Sequence, residues 1–160
     1  MSLKKTHAFF STYGREKDIL EFSVSSATVE LAAQAVGCEP ARIAKTLSFA
    51  VEDGCVLVVC AGDAKIDNAK FKAQFQTKAT MLAPEQVKAY TGHSIGGVCP
   101  FALPDRAPVT TWLDVSLKRF ETVFPAAGSD HSAIELNLHD LEWFSKAKGW
   151  VDVCKDWQES

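Results

Sequence analysis

The sequence feature that most constrains the fold is a pair of strand-like segments joined by a tight turn. Leu47, Phe49 and Val51 alternate with smaller or polar residues, which is the period-two pattern of a strand. Residues 52–54 (Glu-Asp-Gly) are typical of a hairpin turn, and the segment 55–61 that follows is apolar on both faces. Because a strand of that kind lies in the middle of a sheet covered on both sides, the sequence predicts this hairpin at the centre of the fold.

Around the hairpin, helical and strand patterns are interspersed without the regular spacing of βαβ units. Helices are predicted at 7–13, 29–36, 40–44, 66–76, 84–90, 114–118 and 138–147, and further strands at 18–23, 79–82, 109–113, 121–126, 132–137 and 150–153. We therefore predict an α+β fold with a mixed, strongly curved sheet of partial-barrel form, flanked by helices. With 160 residues and no linker or repeat, the chain is predicted to be one domain, 1–160.

Composition and charge narrow the classes of function. The formal net charge is −3, so the protein is not a general polyanion binder, and a nucleic acid would have to be held over a small area. A group of lysines could make such a local contact, although a solvated helix face is the more ordinary interpretation; these are Lys65, Lys70, Lys72 and Lys78.

Hydropathy and cysteine spacing indicate the cellular compartment of the protein. No apolar stretch approaches the length of a membrane span, and the N-terminus has no signal-type segment. The five cysteines are widely spaced without a C-x-x-C pair, which is typical of reduced, structural thiols. We expect a cytoplasmic protein with no membrane partner.

A glycine pair in residues 90–101 predicts a binding loop. Gly96 and Gly97, followed by Pro100, cannot prolong a helix and make a poor central strand. They let the backbone approach a ligand closely and direct successive N–H groups into a cavity. Far upstream, Lys45 stands where a short helix passes into the hairpin strand; it either points with Leu47 to the rim of the buried layer or ends the helix in water. Together these features predict a pocket for an activated acyl group on a phosphate-bearing carrier.

A second chemistry is suggested by residues 92–96, which spell G-x-S-x-G, the nucleophile-elbow pattern of serine hydrolases. That motif needs a strand before the serine and a helix after it, whereas Ser94 is preceded by a helical pattern and followed by glycine and proline. Acidic and histidine side chains downstream, Asp130 and His131 among them, keep a triad open. A serine esterase using Ser94 is therefore the alternative enzyme.

Metal and cofactor chemistry is not expected. The four histidines have no metal-ligand spacing, and no glycine pattern of a nucleotide cofactor site is present. His131, in a turn between Asp130 and Ser132, is the histidine of most interest. Cys99, a single thiol beside a proline, is interpreted as a packing residue.

Several blocks, taken in order, resemble one family. They are residues 25–28 (SSAT) before an alanine-rich helix, 42–49 (RIAKTLSF), 58–67 (VVCAGDAKID), 91–92 (TG), 96–101 (GGVCPF) and 126–128 (AAG). Over about residues 22–141 the chain resembles the YbaK/prolyl-tRNA-synthetase-associated (ProX-like) editing family, which are freestanding aminoacyl-tRNA deacylases. Agreement of several blocks in one order is more specific than any single block.

The resemblance implies hydrolysis of the ester between a wrong amino acid and the terminal adenosine of a tRNA. It implies that Lys45 holds the phosphate or ribose end, and that Gly96 and Gly97 line the acyl pocket, with Lys45 and Gly97 as the catalytic residues. The positions expected to contact the substrate are Phe22, Thr28, Thr46, Gly96, Val98, Pro100, Ser129 and His131. The implied partner is the tRNA acceptor end with its amino acid; a synthetase partner is left open.

The chain departs from the family at two places. Many members carry a tyrosine where this chain has Phe22, and a basic G-K-R-G turn where it has residues 128–131 (GSDH). The amino acid that is removed is therefore left open. Because an aminoacyl ester is already activated, orientation and backbone N–H donors at the glycine pair, with a ribose hydroxyl to position water, suffice for hydrolysis. A non-catalytic module that binds aminoacyl-tRNA or a partner protein is the other alternative.

Overall fold

The hairpin lies at the centre of the fold, as predicted. A computed structural model describes residues 2–105 and 107–157. Its helices and strands, in chain order, are α1 (Ser2–Ser11), β1 (Ile19–Glu21), α2 (Val29–Val36), β2 (Ile43–Val51), β3 (Gly54–Ala61), β4 (Lys65–Ile66), α3 (Asn68–Phe75), α4 (Pro84–Thr91), β5 (Val109–Asp114), β6 (Thr122–Pro125), β7 (Ser132–Ile134), β8 (Leu136–Asn137), α5 (Leu138–Ser145), β9 (Trp150–Val151) and β10 (Cys154–Lys155). Single 3₁₀ turns occupy Glu16–Asp18, Pro40–Arg42 and Val115–Arg119.

The main sheet has six strands in the order β8-β6-β2-β3-β5-β9. β2–β3 and β6–β8 are antiparallel, whereas β2–β6, β3–β5 and β5–β9 are parallel, so the sheet is mixed. A bridge between Ala126 and Ala133 leads from β6 to β7, which pairs with β1. The predicted mixed, curled half-barrel with helices packed outside is confirmed.

Local sequence explains most of the element boundaries. Thr28 caps α2, because its Oγ1 accepts the N–H of Leu31, and α2 ends at Gly37. Proline begins α4 at Pro84, and the helix ends at Gly92, as the sequence predicts.

Several predicted boundaries were wrong. The helix predicted at 7–13 begins at Ser2, and the strand predicted at 79–82 is reduced to the single bridge between Met81 and Phe49. The helix predicted at 40–44 is only the 3₁₀ turn Pro40–Arg42, because β2 already begins at Ile43. The helix predicted from residue 66 begins at Asn68, since Asp67 caps it by accepting the N–H of Lys70, and β4 pairs instead with β10. The strand predicted at 132–137 is two strands, β7 and β8, that pair with different partners.

The core sits on both faces of β3, every residue of which is buried. Two smaller apolar clusters lie on either side of β2. One packs under α2 and contains Ala32, Ala33, Ile43 and Phe124; the other packs under α4 and contains Cys55, Leu57, Leu82 and Val87. The space between these two clusters holds the candidate site.

All five cysteines are free thiols. Among residues 2–105 and 107–157, no helix is long and apolar enough to cross a membrane.

Candidate active site

The glycine loop and Lys45 line one cavity. It encloses about 230 Å³ above β2, between α2 and the segment that leads into α4. Residues 43–48 of β2 form its base, and Ile95, Gly96 and Val98 of the glycine loop form one wall. Side chains of both apolar clusters complete the lining. Two features separated by fifty residues in sequence thus face the same space.

Lys45 is an element of the strand, not of the preceding turn. It lies in β2 opposite Cys60 and lines the cavity. Its Nζ donates to the carbonyl oxygen of Ala64 at 2.5 Å and to that of Gly62 at 3.3 Å. An ammonium has three N–H donors, so these two hydrogen bonds leave the third without a partner among the described residues.

The turn that holds Lys45 is itself held by an ion pair. Arg119 donates to both carboxylate oxygens of Asp63, at 2.6 and 2.9 Å. These hydrogen bonds from Arg119 hold the pKa of Asp63 below its usual value, and the nearby charge of Lys45 acts in the same direction. Asp63 lies between the two carbonyls that accept from Lys45, so Arg119 fixes the ammonium through the turn.

A buried histidine closes the base of the glycine loop. His93 Nε2 lies 2.7 Å from the carbonyl oxygen of Phe101, and Cys99 Sγ lies 3.4 Å from the same nitrogen. Burial lowers the pKa of His93 and raises the pKa of Cys99 to about 12. Both groups are therefore neutral at neutral pH, and Cys99 is a packing thiol that has no thiolate character.

The two glycines of the loop have different surroundings. A Cβ on Gly97 would lie 2.7 Å from Cα of Ser129, so the loop backbone can pack there only with glycine. The Gly97 N–H donates to the carbonyl oxygen of Ser94 at 3.0 Å. Gly96, at φ 95°, lines the cavity. The N–H groups of Gly96 and Val98 donate to no acceptor within the described part of the chain.

Two hydroxyls of the lining are buried without a hydrogen-bond partner among the described residues. They belong to Ser26, which precedes α2, and to Thr46 of β2. Thr28 also lines the cavity, but its hydroxyl is occupied by the cap of α2. A buried polar atom without a partner is uncommon in a folded protein, and here two share one cavity.

Of the residues that sequence analysis proposed for the site, the cavity brings together Lys45, Thr28, Thr46, Gly96 and Val98. Pro100 borders a different cavity, between α1 and α5. Gly97 lies behind the loop, against Ser129.

Three other proposed residues lie outside the cavity lining. The Phe22 N–H donates to the carbonyl oxygen of His131 at 2.8 Å, and Ser129 Oγ donates to Ser132 Oγ at 2.8 Å. His131 Nδ1 lies 2.5 Å from an oxygen of Asp130 at the exposed turn. Phe22, Ser129 and His131 are absent from the lining itself.

Sequence reasoning missed Ser26, Met81 and Ile95. Met81 and Ile95 are 59% and 63% exposed and stand at the mouth of the cavity. Met81 is fixed there by a backbone bridge to Phe49 of β2. Met81 lies in the segment predicted as a strand at 79–82, which forms only a single bridge. Ser26 lies in the block 25–28 and Ile95 in the glycine loop, but neither residue was singled out within those segments.

The structure does not form a nucleophile elbow around Ser94. The residue is exposed, follows the end of α4 where the motif requires a strand, and precedes a glycine turn where it requires a helix. Its hydroxyl makes no hydrogen bond to a described residue, and the adjacent His93 turns inward to Phe101.

No group of three or more His, Cys, Asp or Glu side chains in the described chain could hold a metal ion. Of the lysine group, Lys65, Lys72 and Lys78 are exposed, whereas Lys70 is paired with Asp152 at 3.1 Å.

Comparison with known proteins shows the family to which the chain belongs. The model of the aminoacyl-tRNA editing domain family matches residues 24–144. The chain is 56% identical over 159 residues to the uncharacterized protein YwhH of Bacillus subtilis (strain 168), covering 99% of this chain and all of that protein. It is 31% identical over 111 residues to Enterococcus faecalis EbsC, described as a Cys-tRNA(Pro)/Cys-tRNA(Cys) deacylase, covering 68% of this chain and 66% of EbsC.

Two further matches connect the chain to prolyl-tRNA synthetases. It is 35% identical over 127 residues to the proline–tRNA ligase of Thermotoga neapolitana, which spans 79% of this chain but 21% of the ligase. A crystal structure described as that of a trans-editing enzyme for prolyl-tRNA synthetase superposes with a TM-score of 0.85 at 28% identity, covering 96% of this chain and 97% of the other. The chain therefore belongs to the aminoacyl-tRNA editing domain family and is an enzyme of the aminoacyl-tRNA deacylase class.

Proposed function

We propose that this chain acts in trans on mischarged aminoacyl-tRNA and hydrolyses the ester at the terminal adenosine within the cavity above β2. The observation that carries the proposal is that Lys45 and the glycine loop line the same cavity. A cavity of about 230 Å³ has room for an aminoacyl group, and the exposed Met81 and Ile95 at its mouth offer an apolar surface for the nucleoside.

In this proposal the glycine loop stabilises the charge that develops on the acyl oxygen. The available donors are the N–H groups of Gly96 and Val98, because that of Gly97 is used within the loop by Ser94. Gly97 acts by allowing the loop to pack against Ser129, and its N–H becomes a donor if the turn to Ser94 opens. One donor of this kind typically contributes about 10²–10³ in rate.

Lys45 supplies a fixed positive charge for a phosphate or ribose oxygen of the acceptor end. Two of its protons are bound to the turn at Gly62 and Ala64, so the third is directed by a preorganised geometry. Water attacks the carbonyl carbon and the ester C–O bond to the ribose breaks. The proton lost by the attacking water passes to the leaving ribose oxygen, so the products are the free amino acid and a tRNA with a restored ribose hydroxyl. A neighbouring ribose hydroxyl positions that water, which is why the site needs no protein triad.

The test is deacylation of a panel of mischarged tRNAs, beginning with tRNA(Pro) carrying cysteine, since the named relatives connect the family with that tRNA. The wild-type protein is expected to hydrolyse at least one of them. Lys45→Ala should abolish hydrolysis, whereas Lys17→Ala, at an exposed lysine on another part of the surface, should leave the rate unchanged.

Two outcomes would favour the alternatives. Loss of activity in Ser94→Ala, or labelling of Ser94 by a fluorophosphonate, would indicate a serine esterase. Binding of charged tRNA without turnover over the whole panel would indicate a non-catalytic module.

A further inference from the structure

Ser26 is the least explained polar residue of the cavity. It is 8% exposed and its Oγ has no hydrogen-bond partner among the described residues, although its own N–H donates to the carbonyl oxygen of Asp130 at 2.5 Å. The backbone therefore fixes Ser26 as a residue of the cavity lining. Leaving a buried hydroxyl unpaired costs free energy, which a bound ligand would recover.

The neighbours of Ser26 place it beside the part of the loop that receives the acyl carbonyl. A Cβ built on Gly96 would lie 3.6 Å from Cβ of the adjacent Ala27 and 3.5 Å from Cβ of Asp130, whose carbonyl holds Ser26. In an aminoacyl ester the α-amino nitrogen is two bonds from the carbonyl carbon. A ligand whose carbonyl meets Gly96 therefore carries its α-amino group close to Ser26.

The charge of the lining also fits an α-amino group held by a hydroxyl. Lys45 is the charged side chain among the described lining residues, and none of them is acidic. A cation next to Lys45 would be repelled, which favours the neutral amine over the ammonium. A neutral amine both donates and accepts hydrogen bonds, and a serine hydroxyl does the same.

We propose that the Ser26 hydroxyl binds the α-amino group of the aminoacyl ester and so restricts the enzyme to esters with a free α-amino group. This inference rests on the deacylase function proposed above. It makes Ser26 a specificity residue that separates aminoacyl-tRNA from tRNA whose amino acid is N-acylated, as in peptidyl-tRNA.

The experiment is a cycle of two proteins and two substrates. Wild type and Ser26→Ala are compared on an alanyl ester and on the propionyl ester of the same tRNA, which lacks only the amino group. Ser26→Ala should lower kcat/KM about tenfold for the alanyl ester and change it less than twofold for the propionyl ester. Ser23→Ala, at an exposed serine on the same segment, is the matched control and should change neither.

Equal effects of Ser26→Ala on both esters, or no effect on either, would overturn the inference. If Ser26→Ala does not fold, Ser26→Cys, with a weak donor of similar size, should show the same selective loss in reduced form. Absence of wild-type turnover on every aminoacyl-tRNA would overturn the proposed function and this inference together. Wild-type turnover combined with an effect of Ser26→Ala that does not depend on the α-amino group would overturn the inference alone.

Discussion

At the scale of single residues, the buried His93 in the glycine loop makes the stability of the protein depend on pH. Its ring bonds the carbonyl of Phe101, while Nδ1 is buried without a partner among the described residues. Burial lowers the pKa of His93 in the folded protein below its ordinary value. The unfolded chain therefore binds the proton more readily, and the stabilising effect of the neutral ring is lost as the pH falls through the folded pKa.

We expect the free energy of unfolding to decrease as the pH falls below about 6.5, the ordinary pKa of histidine. In His93→Gln, which keeps a donor for Phe101 but does not titrate, this part of the pH dependence should be absent. Urea denaturation from pH 5 to 8 measures both. The same slope in wild type and variant would show that His93 is not the responsible group.

Gly97 is the residue at which a single methyl group should disable the loop. In Gly97→Ala the new Cβ meets the Ser129 backbone at 2.7 Å, and backbone cannot move away as a flexible side chain can. We expect a loss of about 1–3 kcal/mol in stability from the overpacked contact and a fall of about 10²-fold in kcat from misplaced loop donors. Gly149→Ala, where the nearest atom lies at 3.6 Å, is the matched control. Wild-type kcat in Gly97→Ala would contradict the proposed packing.

At the scale of elements, α2 connects the stability of the fold to the shape of the cavity. Thr28 caps the helix and lines the cavity together with Val29 and Ala32. Thr28→Ala should lower the free energy of unfolding by about 1 kcal/mol, because the Leu31 N–H loses its acceptor. Thr28→Ser, which keeps the hydroxyl, should remain near wild type in the same urea titration. Equal losses in both variants would show that the methyl group, and not the cap, is what matters.

The elements that the sequence predicts well are those with a local cause. The β2–β3 hairpin follows from alternation and a turn sequence, and α2 and α4 follow from a capping threonine and an initial proline. Asp67 could have been recognised as a cap, but the pairing that takes Lys65 and Ile66 into β4 is made with residues 154–155, near the far end of the chain. Such a long-range pairing leaves no local pattern.

At the scale of the whole molecule, three distant segments meet around the glycine pair of the site. Ala27 and Asp130 flank Gly96, and Ser129 packs against Gly97, so the segments before α2, in the glycine loop and before β7 meet at one point. The sequence predicted that the glycine loop and Lys45 form one pocket, and both line the cavity above β2. Sequence motifs could not distinguish residues that face the cavity, such as Thr46, from Pro100, which borders another one.

The central claim is that the cavity above β2 receives the aminoacyl end of the tRNA, with the acyl group at the glycine loop and Lys45 at the nucleotide. The most direct measurement is a crystal structure with a non-hydrolysable analogue, in which an amide joins the amino acid to the terminal adenosine. We predict the acyl oxygen within hydrogen-bond distance of the Gly96 or Val98 N–H, and Lys45 Nζ against a ribose or phosphate oxygen. An analogue bound instead in the cavity beside Pro100, or at Ser94 outside the lining, would contradict the claim.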